Sequence, residues 1–97
     1  MTQQQLLQTL RHAQKELQAN FGIEKIAIFG SYARNQAQEG SDVDIAILQT
    51  QKKDYFSRLK AIHYLEKLLN KKVDMGYLDT MRTIIRQQVE KEMIHVE

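Results

Sequence analysis

The chain has 97 residues, 42% hydrophobic and 27% charged, with no cysteine and no proline. That length supports one compact domain, residues 1–97, with a modest core, and the lack of cysteine excludes a disulfide framework or a thiolate zinc site. A formal net charge of +2 is too small to call for a nucleic-acid partner, and the basic pairs Lys52-Lys53 and Lys71-Lys72 lack interleaved aromatics, so no direct nucleic-acid binding is expected. No apolar run is long enough to span a bilayer and no signal-peptide pattern opens the chain, so the sequence reads as soluble and cytoplasmic, with no membrane partner.

In chain order, Leu6, Leu10, Ala13 and Leu17 recur at helical spacing and predict a helix over residues 2–20, stopped by Gly22. The run Lys25 to Phe29 suits a buried strand ending at Gly30, and residues 32–38 suit one or two helical turns. Val43 to Leu48 alternates as a strand does, with Val43, Ile45 and Ile47 on one face and Asp42, Asp44, Ala46 and Leu48 on the other. Asp54 is placed to cap a helix reaching Leu69, with Leu59, Ile62, Leu65 and Leu69 as its buried stripe. A third strand follows over residues 72–77. Asp79 or Thr80 is expected to start a helix carrying Met81, Ile85 and Val89, and residues 93–96 form a short last strand. The order αβαβαβαβ predicts an α/β (α+β) fold, a small mixed sheet with helices packed against it.

The chemistry concentrates in FGSYARNQAQEGSDVDI, Phe29 to Ile45. Strand periodicity puts Asp42 and Asp44 on one face with Cβ atoms about 7 Å apart. Two carboxylates so close repel unless a cation lies between them, and carboxylate oxygens are the hard ligands that Mg²⁺ takes, together with water and phosphate. Gly30 lets the backbone approach a phosphate, and Ser31 offers a hydroxyl and an N–H beside it. Asp74 on the third strand is the best third acid, since Asp79 fits better as a helix cap. A strand-helix-strand crossover makes the second and third strands parallel, which brings Asp42, Asp44 and Asp74 to one edge; an antiparallel first strand adds Gly30-Ser31 there. Arg34 either reaches a phosphate or covers the sheet edge with its stem. Tyr32 and Tyr77 read as packing residues, and His12, His63 and His95 carry no assigned role. Arg58 and His63 match an Arg-x4-His ribonuclease pattern, but five helical residues turn them away from each other, and the match is read as coincidence.

Gly30-Ser31, ten residues, then Asp42-x-Asp44 resembles the signature of the DNA polymerase β superfamily of nucleotidyltransferases. The fuller form GSYARNQAQEGSDVDIAIL is similar to the minimal nucleotidyltransferases (MNT) that act as antitoxins to HEPN ribonuclease toxins, over essentially the whole chain. The resemblance implies a DNA polymerase β-like fold and a two-metal transfer. In it, Asp42, Asp44 and Asp74 are catalytic and hold two Mg²⁺ ions, with Mn²⁺ as a substitute. Gly30, Ser31 and Arg34 bind the nucleotide, ATP is the donor, and a tyrosine of a HEPN-domain toxin, bound in a hetero-oligomer, is the acceptor. The alternative is a non-catalytic antitoxin acting by stable complex formation. Asn35 departs from the usual glycine after Ala-Arg; asparagine tolerates left-handed backbone, so the turn is expected to survive. Polymerase-type relatives carry further template-binding domains that are not found in this sequence.

Overall fold

The computed structural model describes residues 1–97. Its elements are α1 (Gln3–Phe21), β1 (Ile23–Phe29), α2 (Gly30–Ala33), β2 (Val43–Thr50), α3 (Tyr55–Leu69), β3 (Val73–Tyr77), a 3₁₀ turn (Leu78–Thr80), α4 (Thr83–Glu92) and β4 (Ile94–His95). The alternating order expected from the sequence is the one observed. Helix α1 starts with a reciprocal cap: the Thr2 hydroxyl accepts the Gln5 N–H at 3.1 Å, and the Gln5 side chain accepts the Thr2 N–H at 2.9 Å. It ends at Gly22. Asp54 caps α3 by accepting the Phe56 N–H at 3.2 Å.

The four strands form one mixed sheet in the order β3-β2-β1-β4. Strands β2 and β3 run parallel, as their helical crossover demands, while β1 is antiparallel to both β2 and β4. Helices α1 and α3 lie on one face, where Leu6, Leu10, Leu17, Ile26, Ile28, Ile45 and Leu65 close the main core. Burying each such side chain contributes roughly 1.5–3 kcal/mol before conformational entropy is counted. The opposite face is only part-covered: Ala46, Leu78 and Val89 form a small second cluster beneath α4. The rest of that face, at the edge where β2 and β3 begin, is left open to the side chains of Asp44 and Asp74.

Four expectations are corrected. The buried stripe of α3 is Ala61, Leu65 and Leu69, with Leu59 and Ile62 only half-buried. Asp79 is not a helix cap: a 3₁₀ turn intervenes, α4 starts at Thr83, and Asp79 instead forms an exposed ion pair with Lys53 at 2.7 Å. Only Val89 of α4 is buried, while Ile85 is 50% and Ile84 80% exposed, because the helix rests on the sheet by its C-terminal half. The helical turn expected over 32–38 is shorter and earlier, Gly30–Ala33, and ends just before Asn35 takes a left-handed φ of 58°. Asparagine thus fills the place of the missing glycine as expected. No helix is long and apolar enough to cross a membrane.

Candidate active site

Strand β1 delivers the Gly30-Ser31 step to the start of β2. Phe29 pairs with Asp44, and Gly30 turns away from the strand at φ 74°. A Cβ at Gly30 would overlap the Asp44 Oδ2 oxygen and lie 3.1 Å from its Cγ. The backbone of the turn and the carboxylate of the strand are therefore in direct contact, and a side chain at position 30 is excluded twice, by φ and by space. The turn that follows is closed by Arg34 N–H to Gly30 O at 3.0 Å and Gln36 N–H to Ser31 O at 2.8 Å, leaving Ser31 half-buried at the mouth.

The parallel register sets Asp44 directly beside Asp74, with Asp42 one residue before β2. Asp42 and Asp74 are exposed and Asp44 is half-buried. The Asp44 carboxyl is pushed above the usual range, chiefly by burial and then by the charges of Asp74, Asp42 and Glu92, with the Arg34 guanidinium opposing. As the side chains stand, no three acidic or histidine groups are gathered closely enough to ligate one ion. The excess of hard oxygen donors and negative charge at one rim is the setting in which a divalent cation relieves the repulsion. Asp79 lies in the 3₁₀ turn beyond the far end of β3, paired with Lys53, away from the rim where β2 and β3 begin.

Sequence reasoning overlooked Glu92, the last residue of α4. Its Oε2 accepts the Gly30 N–H at 2.6 Å, and its two oxygens accept from Arg34 Nη1 at 3.2 and 3.1 Å. Gln88, one turn earlier, donates to Oε1 at 3.1 Å. Burial pushes the Glu92 carboxyl up, but the Gly30 N–H, the Gln88 amide and Arg34 outweigh it and hold the group below its ordinary range. A signal was present: an acid in the last turn of a helix opposes the dipole and needs donors from elsewhere. Arg34 therefore stands at the mouth of the site, half-exposed, tied to Glu92 rather than spread over the sheet edge. Gly30, Arg34, Asp44, Glu92 and the exposed Ile84 and Ile85 line one open cleft of about 570 Å³.

The remaining sequence candidates lie elsewhere. Tyr32 is 2% exposed in the core. Arg58 donates to Met75 O at 2.8 Å, with its guanidinium 5.7 and 5.5 Å from the Tyr55 and Tyr77 ring centres, while His63 is exposed. Arg58 is a structural residue. His12 and His95 are exposed as well.

A short mixed sheet with a glycine turn facing paired strand aspartates defines a nucleotidyltransferase domain. The family profile described as "Polymerase beta, Nucleotidyltransferase" matches residues 11–96, and the chain belongs to that family. It is 32% identical over 96 residues to the protein adenylyltransferase MntA of Thermococcus cleftensis, an alignment covering 99% of this chain and 97% of that one. Among solved structures, a chain of a toxin-antitoxin complex with AMP-PNP matches with a TM-score of 0.76 and 28% identity, covering 92% of this chain and 72% of that one. The fold also matches, with a TM-score of 0.73 at 24% identity, covering 99% of this chain and 72% of that one, a chain of the complex of tri-AMPylated Shewanella oneidensis HEPN toxin with its MNT antitoxin.

Proposed function

We propose that the protein transfers AMP from ATP to a tyrosine hydroxyl of a HEPN-type toxin, and so acts as its antitoxin. Family membership supports the reaction class, and the adenylyltransferase and toxin-antitoxin relatives support donor and partner. The observation that carries the reading is the register of Asp44 against Asp74, with the Gly30 turn in contact with Asp44.

In this reading Asp42, Asp44 and Asp74 would hold two Mg²⁺ ions, or Mn²⁺. Bound there, such ions would supply neutralising charge for the triphosphate and lower the pKa of the acceptor hydroxyl. Ser31 and the Gly30 turn hold the β- and γ-phosphates, and Arg34 pairs with their oxygens. Thus anchored, the α-phosphorus faces the acceptor in line. The new bond runs from the tyrosine oxygen to the α-phosphorus, and the bond from that phosphorus to the bridging oxygen breaks. Pyrophosphate leaves, and the tyrosine proton passes to solvent or a nearby carboxylate. The open rim beside exposed Asp74 leaves room for an acceptor on another chain.

The experiment is toxin rescue in cells. Wild type should relieve toxicity, and the Asp42→Asn/Asp44→Asn double variant, still binding the toxin, should not. Full rescue by the double variant would replace chemistry with occlusion by a stable complex.

A further inference from the structure

Glu92 sits on the donors that a polyphosphate needs. Gly30 has a single N–H, and at 2.6 Å from Glu92 Oε2 it is committed. Arg34 Nη1 serves both oxygens of the same carboxylate. These residues belong to the Gly-Ser turn and to the cation nearest Asp44, the pair assigned above to the triphosphate. Glu92 also adds a fourth negative charge to a rim that already carries three aspartates, and that charge acts on Asp44. While the carboxylate holds them, the Gly30 N–H and Arg34 Nη1 are closed to a triphosphate oxygen, and its like charge repels one that approaches the remaining Arg34 donors.

We propose that Glu92 is a resident anion of the donor site, a positioning residue whose carboxylate keeps the Gly30 turn and Arg34 in place until a nucleoside triphosphate displaces it. The inference rests on the assignment of Gly30, Ser31 and Arg34 to the phosphates. Gln88 gives the leaving carboxylate a partner, since its amide already donates to Oε1 from one turn back. The cleft bounded by Gly30, Arg34 and Glu92 gives it space. Nucleotide binding thereby loosens the tie between α4 and the Gly30 turn, and affinity is lowered by the cost of expelling an internal competitor.

The test is calorimetric titration of the full chain with MgATP, without acceptor. Glu92→Gln keeps the shape and an acceptor for Gly30 but removes the charge, and should bind MgATP roughly 3- to 10-fold more tightly than wild type; in a separate transfer assay with the toxin as acceptor, it should change kcat less than KM for ATP. Equal or weaker binding by the variant, when wild type binds, overturns the displacement and makes Glu92 a permanent brace. Absence of MgATP binding in both overturns the phosphate assignment, and the inference with it. A second measurement needs no variant. The ¹³Cδ resonance of Glu92 in the wild-type protein should shift on saturation with MgATP, and an unmoved resonance would refute displacement.

Discussion

Gly30 and Asp44 share one space: the side-chain position that glycine leaves empty is filled by the Asp44 carboxylate. The family's two motif halves, ten residues apart in sequence, are thus one packed contact, and each limits the other. Gly30→Ala should cost about 1–3 kcal/mol in urea denaturation and abolish transfer, by pushing Asp44 away and straining a left-handed residue. Gly40→Ala is the control. Its φ is 89° but nothing lies within 4 Å of the added methyl, so it should lose about 1 kcal/mol of stability and keep activity. In a double-mutant cycle, Gly30→Ala and Asp44→Ala should couple by more than about 0.5 kcal/mol.

The raised Asp44 carboxyl makes the charged form a liability in metal-free protein. Asp44→Asn should therefore stabilise the fold without divalent cations at neutral pH, by at most about 1 kcal/mol once solvent screening is allowed for. The sign follows from linkage. A carboxyl raised above its unfolded value of 3.8 takes up its proton sooner in the folded state, so its penalty is present above the folded pKa and fades as pH falls toward 3.8. The stability gap between variant and wild type should then close on acidification. Glu92 runs the other way: its contribution is full above its unfolded value of 4.5 and is lost below that, as pH falls through its depressed folded pKa. Added Mg²⁺ should reverse the order, raising the Tm of wild type and not of Asp44→Asn. A Tm that ignores Mg²⁺ in both proteins would remove the cation from the account.

Asp74 and Asp79 are separable. Asp74→Asn should reduce transfer at least about a hundredfold with little change in Tm, since Asp74 is an exposed strand residue beside Asp44. Asp79→Asn only breaks the exposed Lys53 bridge, worth about 0.2–1 kcal/mol, and should leave transfer intact. Steady-state rates for both variants decide it, and equal losses would mean that the third acid is misassigned.

Arg58 tests whether its match to a ribonuclease pattern has any meaning. Its bond to Met75 O and its place against two tyrosine rings make it a brace on the exposed edge of β3. Arg58→Lys should cost about 1 kcal/mol of stability, because an ammonium cannot stack and bond in the same plane. His63→Ala should cost nothing measurable by thermal unfolding.

Much of this was legible in the sequence because strand alternation and crossover length are local signals. The alternation from Val43 placed Asp44 on the face opposite Ile45, and the α3 crossover forced β2 and β3 parallel, which alone puts Asp74 at the same rim. Ends and partial burial were less legible. Nothing local said that α4 would rest on the sheet only through Val89, so Ile85 read as core although it is half-exposed. Asp79 looked like a cap because a carboxylate before a helix usually is one, but a 3₁₀ turn took its place. Glu92 was hidden by distance: its partner Gly30 lies 62 residues earlier, and only the folded sheet brings them together.

The central claim is that three acids at one rim of the sheet, facing the Gly30 turn, drive adenylyl transfer to another protein. Intact-mass analysis of a HEPN-type toxin incubated with this protein, ATP and Mg²⁺ tests it most directly. The account predicts mass increments of whole AMP units on the toxin, lost when Mg²⁺ is chelated or when Asp44→Asn replaces wild type. A toxin that keeps its mass with the wild-type protein, or gains the same increments with Asp44→Asn, contradicts it.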